Sequence, residues 1–274
     1  MLDSTAVEPN QSRHEKLKIL LTNDDGVEAK GLKTLLRRLS KRHEVCVVAP
    51  AVERSACGHG ISLHVPLRLK KRGRGIYSVD GTPTDCINLG VFEVLKRKPD
   101  LVISGINQGP NMGTDTLYSG TVAGAIEGAI LGINSIAVSL ASYQYSDFGP
   151  AAEFTENLVA RLGGFKFPAD VCLNVNIPPS ARGPVFETRL TALGRRRYSK
   201  IIREGVDPRG KKYYWIGGEP VEMDKRDCCD SATVEAGFIS ITPMKLDMTA
   251  TGLEKALSKV FDGKGTRKGL RLVS

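Results

Sequence analysis

Residues 101–150 contain neither lysine nor arginine, although the 274-residue chain carries 39 of these cations against 30 Asp plus Glu. Every positive charge behind the net +9 therefore lies outside that window. Other absences narrow the class further. The six cysteines (Cys46, Cys57, Cys86, Cys172, Cys228, Cys229) share no short repeated spacing and no histidine pairing, which argues against a disulfide framework and a zinc site. Cys228 and Cys229 are neighbours and rarely bridge each other, so reduced thiols and a cytoplasmic location are expected. Residues 1–16 (MLDSTAVEPNQSRHEK) have no apolar run of the signal-peptide kind and read as a disordered extension. A hydrophobic content of 41% with 25% charged residues sets aside disordered, collagenous and low-complexity chains. The length suits one large α/β domain, or a domain with an appendage. The basic excess favours anionic partners without choosing among nucleic acid, a membrane surface and a phosphorylated small molecule.

The charge-poor window also contains eight glycines. Residues 119–142 carry only one charge, Glu127, with glycines at 120, 124, 128 and 132, which resembles the small-residue stripe of a membrane helix. Glu127 near the middle and the Asn134-Ser135 break favour a buried helix followed by a buried strand, so no membrane partner is expected.

Read in order, residues 17–22 (LKILLT) form a short buried strand that stops at Asn23-Asp24-Asp25-Gly26. Ala29, Leu32, Leu35, Leu36 and Leu39 follow at helical spacing, and residues 44–49 (EVCVVA) are a second buried strand, completing a βαβ unit. The pattern repeats with a strand at 76–79 and a helix capped by Thr84-Asp85 that carries Ile87, Val91, Val94 and Leu95. A strand at 101–103, a helix capped by Ser119 or Thr121, a strand at 135–140, a helix at 154–162 and a strand at 171–177 complete the series. The expected fold is a three-layer α/β, doubly wound, mostly parallel, Rossmann-like sheet spanning residues 17–179. After Pro178-Pro179 the Gly-Pro, Asp-Pro-Arg-Gly and Gly-Gly-Glu-Pro punctuation around Tyr213-Tyr214-Trp215 signals a C-terminal antiparallel β-hairpin arm over residues 180–230. A returning strand at 238–242 and a helix at 253–260 extend this region to residue 263, and residues 264–274 form a basic tail.

Ligands of open α/β sheets bind beyond the carboxyl ends of the strands. Three such ends in this chain are polar: Asn23-Asp24-Asp25-Gly26, the 51–55 segment ending in Ser55, and Ser104 through Gly113 with Asn107 and Asn111. Two adjacent carboxylates raise each other's pKa unless a cation offsets them. Asp, Asn and Ser oxygens suit Mg²⁺ or Mn²⁺ better than zinc. Gly105, Gly109 and Gly113 permit close backbone approach, and Ser119-Gly120-Thr121 opens a helix whose free N–H groups can hold phosphate. Without Lys or Arg beside it, a phosphate there depends on a metal and backbone dipoles for neutralisation.

The motifs ILLTNDDG (19–26), VVAPAVERSACGHGISL (47–63), VDGTPTDC (79–86) and SGINQGPNMGTDTLYSGTVAGAIEG (104–128), in this order, resemble the SurE stationary-phase survival family. The resemblance extends over about residues 17–245, including RRRY (195–198) and KKYYW (211–215). It implies a metal-dependent phosphomonoesterase acting on nucleoside 5'- and 3'-monophosphates, with polyphosphate as a further substrate in some members. It also implies that Asp24, Asp25, Ser55 and Asn107 are ligands of one divalent cation per subunit, and that the arm joins subunits of a homodimer or tetramer. The N-terminal extension and the tail beyond Lys264 depart from the family pattern and touch no motif.

The chemistry so implied is metal-assisted attack of water on a phosphomonoester. Asp24 or Asp25 orients the water; Ser104, Asn111, Ser119 and Thr121 are candidates to hold phosphate; His59 is the nearest candidate acid in sequence. A covalent aspartyl-phosphate route needs a carboxylate two residues before Asp25, where Asn23 stands. From another class, Arg195-Arg196-Arg197 beside Tyr198 and Lys211-Lys212 beside Tyr213 could track and stack on a nucleic acid. The hairpin signals favour a subunit contact instead, and no stable nucleic-acid partner is expected. A module that holds nucleotides without turnover is the remaining rival.

Overall fold

The computed structural model describes residues 16–179, 187–199, 201–218, 220–224, 226, 228–250, 252, 253, 257 and 260. The first half of the chain alternates β1 (Lys18–Thr22), α1 (Lys30–Leu39), β2 (Glu44–Pro50), β3 (Leu69–Gly73), β4 (Ile76–Val79) and α2 (Pro83–Leu89). It continues with β5 (Leu101–Gln108), α3 (Gly120–Ile130), β6 (Ser135–Leu140), α4 (Gly149–Arg161) and β7 (Val171–Ile177). Beyond these come β8 (Thr188–Leu190), β9 (Arg196–Tyr198), β10 (Ile201–Val206), β11 (Lys212–Gly217), β12 (Pro220–Met223), α5 (Asp230–Glu235) and β13 (Ile239–Lys245).

One nine-stranded sheet runs β3-β4-β2-β1-β5-β6-β7-β13-β8. Its central strands are parallel, Ile19 sitting beside Val45 on one side and Leu101 on the other. β1 is therefore followed in sequence by a neighbour on one side, while the chain later crosses to place β5 on the other. That reversal is the switch point at which open α/β sheets form clefts. The burial of β1, β2 and β5 on both faces explains their unbroken apolar runs. Successive residues serve opposite layers: Leu21, Val47 and Ile103 join the core against α1 and α4, whereas Leu20, Val48 and Val102 join the core against α2.

Several boundaries differ from those read in the sequence. α2 is capped by Thr82, not by Thr84-Asp85, because Asp85 occupies the third helical position and completes a reciprocal capping box with Thr82. Its extension over Gly90–Leu95 is π-helical, so Val91, Val94 and Leu95 do not continue the α-helical stripe. β3, an exposed edge strand of sequence LKKRG, has no alternation to mark it. β5 runs on to Gln108 through an irregularity between Gly105 and Asn107. α4 begins at Gly149, with Pro150 in its first turn, five residues before the expected start.

The glycine stripe of α3 is a packing device. A Cβ on Gly124 would lie 2.8 Å from Ser104 Oγ, and one on Gly128 would lie 2.3 Å from Ser135 Oγ. The helix thus rests directly on the strands beneath it, and Ser119 caps it by accepting from the Val122 N–H at 3.1 Å. Among the described residues, no helix is long and apolar enough to cross a membrane.

The arm contains a β10–β11 antiparallel hairpin and a second antiparallel pair, β9 with β12. Chain contacts divide the molecule after Met244, so the sheet and the arm belong to one unit. Residues 1–15, most of the expected helix at 253–260 and the tail at 264–274 lie outside the described residues.

Candidate active site

Beyond the end of β1 the chain folds over its own backbone. The fully buried Asn23 donates through Nδ2 to the Gly26 carbonyl at 3.0 Å, closing the Asn-Asp-Asp-Gly loop. Gly26 takes a φ of +100°, a conformation that side chains other than glycine's rarely adopt. The loop is stapled to the exit of β2 by Val27 N–H to Pro50 O at 2.8 Å and Arg54 N–H to Asp24 O at 2.7 Å.

Asp24 is 5% exposed, and its Oδ1 accepts a very short hydrogen bond from the Thr121 hydroxyl. Gly120 makes this approach possible, because a Cβ there would lie 2.8 Å from Asp24 Cβ. Asp25 is partly buried and its Oδ2 accepts from the Gln108 N–H at 3.3 Å. Burial pushes the Asp24 carboxyl above its ordinary value, opposed by the Thr121 hydrogen bond and reinforced by the charge of Glu53. Burial, then the neighbouring Asp24 charge, pushes Asp25 up to about 6, with the Gln108 N–H opposing and Glu53 adding to the rise. Among the described residues neither aspartate has an ion-pair partner.

The other two expected ligands are chain neighbours of residues bonded to this pair. Ser55 is exposed on the loop whose Arg54 N–H holds Asp24, and its hydroxyl donates to Glu53 Oε1 at 2.6 Å. Asn107, one residue before Gln108, donates through Nδ2 to Gly109 O at 2.9 Å, which leaves Oδ1 as its remaining acceptor. Two carboxylates destabilised by burial, an amide oxygen and a hydroxyl form a hard oxygen set, and these residues fit Mg²⁺ or Mn²⁺.

The candidate phosphate holders have different surroundings. Ser104 Oγ is fully buried, with no hydrogen-bond partner among the described residues. The Ser119 and Thr121 hydroxyls are engaged as helix cap and Asp24 partner. Asn111 is built into the loop after β5: its N–H donates to Asn176 Oδ1 at 2.9 Å and its Nδ2 to Ser139 Oγ at 2.8 Å. Its carbonyl accepts from Asn174 Nδ2 at 2.8 Å and Asn176 Nδ2 at 2.9 Å. Asn174 and Asn176 escaped the sequence reading, although two asparagines in a buried LNVNI strand are a usable signal of a polar strand end.

His59 is directed elsewhere. Its Nε2 pairs with Glu127 Oε2 at 2.8 Å, while Glu127 Oε1 accepts from Asn88 Nδ2 at 2.7 Å. Glu127 follows Gly120 by seven residues, about 10 Å along α3, so the ring is clasped well along the helix from Asp24. Together with Thr82 Oγ1 to Gly60 O at 2.7 Å and Ser62 N–H to Asp85 Oδ1 at 2.9 Å, this bond pins the loop that carries Ser55.

The arm reaches the same rim through Asp230, which is fully buried and accepts from Gly113 N–H at 2.7 Å and Gly194 N–H at 2.9 Å. Arg196 Nη1 and the Tyr198 hydroxyl both donate to Asp115 Oδ2 at 2.5 Å. Part of the basic-aromatic run at 195–198 is therefore engaged inside the molecule rather than free to track a phosphate backbone.

Known proteins share this architecture. The family model described as Survival protein SurE matches residues 19–200. A 5'-nucleotidase SurE from Pelotomaculum thermopropionicum is 46% identical over 251 residues, covering 89% of this chain and 95% of that protein. A second, from Geotalea daltonii, is 47% identical over 234 residues, covering 85% and 94%. The crystal structure of the SurE protein from Aquifex aeolicus superposes with a TM-score of 0.77 at 38% identity, covering 89% of this chain and 99% of that one. With a family model spanning most of the nine-stranded core and relatives this similar over most of their length, the chain belongs to the SurE family.

Proposed function

We propose that this protein is a metal-dependent 5'-nucleotidase that hydrolyses nucleoside 5'- and 3'-monophosphates to nucleoside and phosphate, and that short polyphosphate is a further substrate. The names of the relatives support the nucleotidase activity. The observation that carries the metal is the Asp24-Asp25 pair, the first buried and the second partly buried, both raised in pKa and without a cationic partner among the described residues. Asp24, Asp25, Ser55 and Asn107 would hold the cation. When bound, such an ion supplies positive charge and Lewis acidity at the phosphoryl group.

The protein's own contribution is placement. Thr121 fixes one Asp24 oxygen, and the amino end of α3 lies against that side chain, where its partial positive charge favours an anion. Asp25, the less buried of the two, orients the attacking water through the oxygen that Gln108 leaves free. Ser104, whose hydroxyl lies beneath the same helix without a partner among the described residues, is the phosphate holder best supported by its surroundings. His59 serves the site through the loop it pins.

The assay is phosphate release from AMP. Activity lost in EDTA and restored by Mg²⁺ or Mn²⁺ is expected; full activity after chelation contradicts the metal, and binding of AMP without turnover makes the protein a nucleotide-holding module instead. We also propose assembly into a homodimer or tetramer through the arm. Its support is exposed apolar surface on the hairpin, with Ile202, Trp215 and Ile216 at 67%, 69% and 91% exposure. A cytoplasmic location fits the free cysteines among the described residues.

A further inference from the structure

We propose that Tyr143 is a specificity-determining residue, the platform on which the nucleobase of the substrate stacks; this rests on the nucleotidase reading above. Tyr143 lies in the loop between β6 and α4 and its side chain is 74% exposed, yet it is anchored. A Cβ on Gly109 would fall 2.4, 2.9 and 3.0 Å from ring atoms Cε1, Cδ1 and Cζ, so the phenol packs directly on the Gly109 backbone. Gly109 has a φ of +119°, which, with that contact, restricts the position to glycine. The main chain of Tyr143 is held as well, its carbonyl accepting from Gln108 Nε2 at 3.0 Å, and Gly109 N–H donates to Leu140 O at 2.9 Å.

The ring is thereby fixed to the strand that carries the candidate ligand Asn107. Two residues of extended chain separate Asn107 from Gly109, about 7 Å, which is the order of one ribose between a phosphate and its base. A largely exposed aromatic ring seated on Gly109, two residues beyond Asn107, offers a stacking surface that accepts any base, because every base has a π-face. Tyr143 thus presents an aromatic surface next to Gly109, whereas the Asp24-Asp25 side carries acidic oxygens. This polarity matches a nucleotide laid with its phosphate at the aspartates and its base at Tyr143.

The experiment compares AMP with ribose 5-phosphate, which carries the same phosphomonoester and no base, in wild type, Tyr143→Ala and Tyr143→Phe. Tyr143→Ala should raise the KM for AMP about tenfold and leave kcat and all constants for ribose 5-phosphate unchanged, while Tyr143→Phe should behave as wild type. Exposure of the side chain predicts unchanged melting for both variants, which is checked in the same preparations. Equal effects of Tyr143→Ala on both substrates, or none on either, overturn the platform while leaving the nucleotidase intact. Wild type that hydrolyses neither substrate overturns the nucleotidase reading itself.

Discussion

Replacing Asp25 by asparagine should make the metal-free protein more stable at neutral pH while removing its response to metal. Burial and the adjacent Asp24 raise Asp25 from an ordinary 3.8 to about 6. A carboxyl whose folded pKa is raised holds its proton more tightly in the native state, so stability falls as pH climbs from about 4 and the loss is complete above about 6. At about 1.36 kcal/mol for each tenfold change in the protonation equilibrium, the ceiling is about 3 kcal/mol. Asp25 is partly solvent-accessible, and screening reduces this to about 1–2 kcal/mol. The amide of the Asp25→Asn variant cannot ionise and escapes the penalty. For a domain of this size the gain corresponds to about 3–6 °C in Tm. The assay is thermal unfolding in EDTA at pH 4 and pH 7.5, then at pH 7.5 with excess Mn²⁺. The variant should match wild type at pH 4 and exceed it at pH 7.5 in EDTA. With Mn²⁺ the order should reverse, because only wild type gains the binding free energy that a native-state ligand confers. A variant that melts below wild type in EDTA at pH 7.5 would show that the pair is not strained and would refute the electrostatic argument for the metal.

Three further perturbations probe the supporting structure. Thr121→Val removes the hydroxyl donated to Asp24, so the carboxyl should rise further in pKa and kcat/KM for AMP should fall about tenfold or more, with the acidic limb of the pH profile moving to higher pH; an unmoved limb counts against a role in holding Asp24 ionised. Asp230→Ala strips the acceptor shared by the Gly113 and Gly194 N–H groups and should cost about 3 kcal/mol in urea unfolding, whereas a cost below about 1 kcal/mol would mean that water satisfies both amides. His59→Ala frees the Glu127 and Gly58–Gly60 region, and protease sensitivity in the 51–63 loop should increase along with the KM for the metal. Unchanged loop protection would separate His59 from the positioning of Ser55.

Much of the fold was legible because the central strands are buried on both faces and punctuated by polar ends. Residues 17–22 and 44–49 could be read as parallel strands from their apolar runs and the helical spacing between them, which make a βαβ unit. β3 could not, since an exposed edge made of Leu-Lys-Lys-Arg-Gly carries no periodic burial. The π-helical continuation after Leu89 was equally hidden, as the sequence GVFEVL looks α-helical and only the backbone reveals the wider turn. For the site, the electrostatic cost of adjacent carboxylates at the end of a buried strand pointed to Asp24 and Asp25, and the charge-poor window located the surrounding loop. The contacts that organise them are long-range. Asp230 reaches Gly113 across 117 residues, Asn176 reaches Asn111 across 65, and His59 meets Glu127 across 68. Sequence spacing cannot show that His59, close to Ser55 in the chain, turns to the middle of α3 instead of the aspartates. The same limit applies to Tyr143, which has no motif around it and acquires meaning only from the glycine it covers.

The proposed mechanism places one divalent cation on Asp24, Asp25, Ser55 and Asn107. Anomalous scattering from a crystal soaked in Mn²⁺ locates such an ion without reference to activity. A single manganese peak per subunit is expected within coordination distance, about 2.0–2.6 Å, of oxygens from both aspartates, with Ser55 and Asn107 completing the protein donors. A peak elsewhere, or none at Asp24 and Asp25 when the metal is in excess, would contradict it.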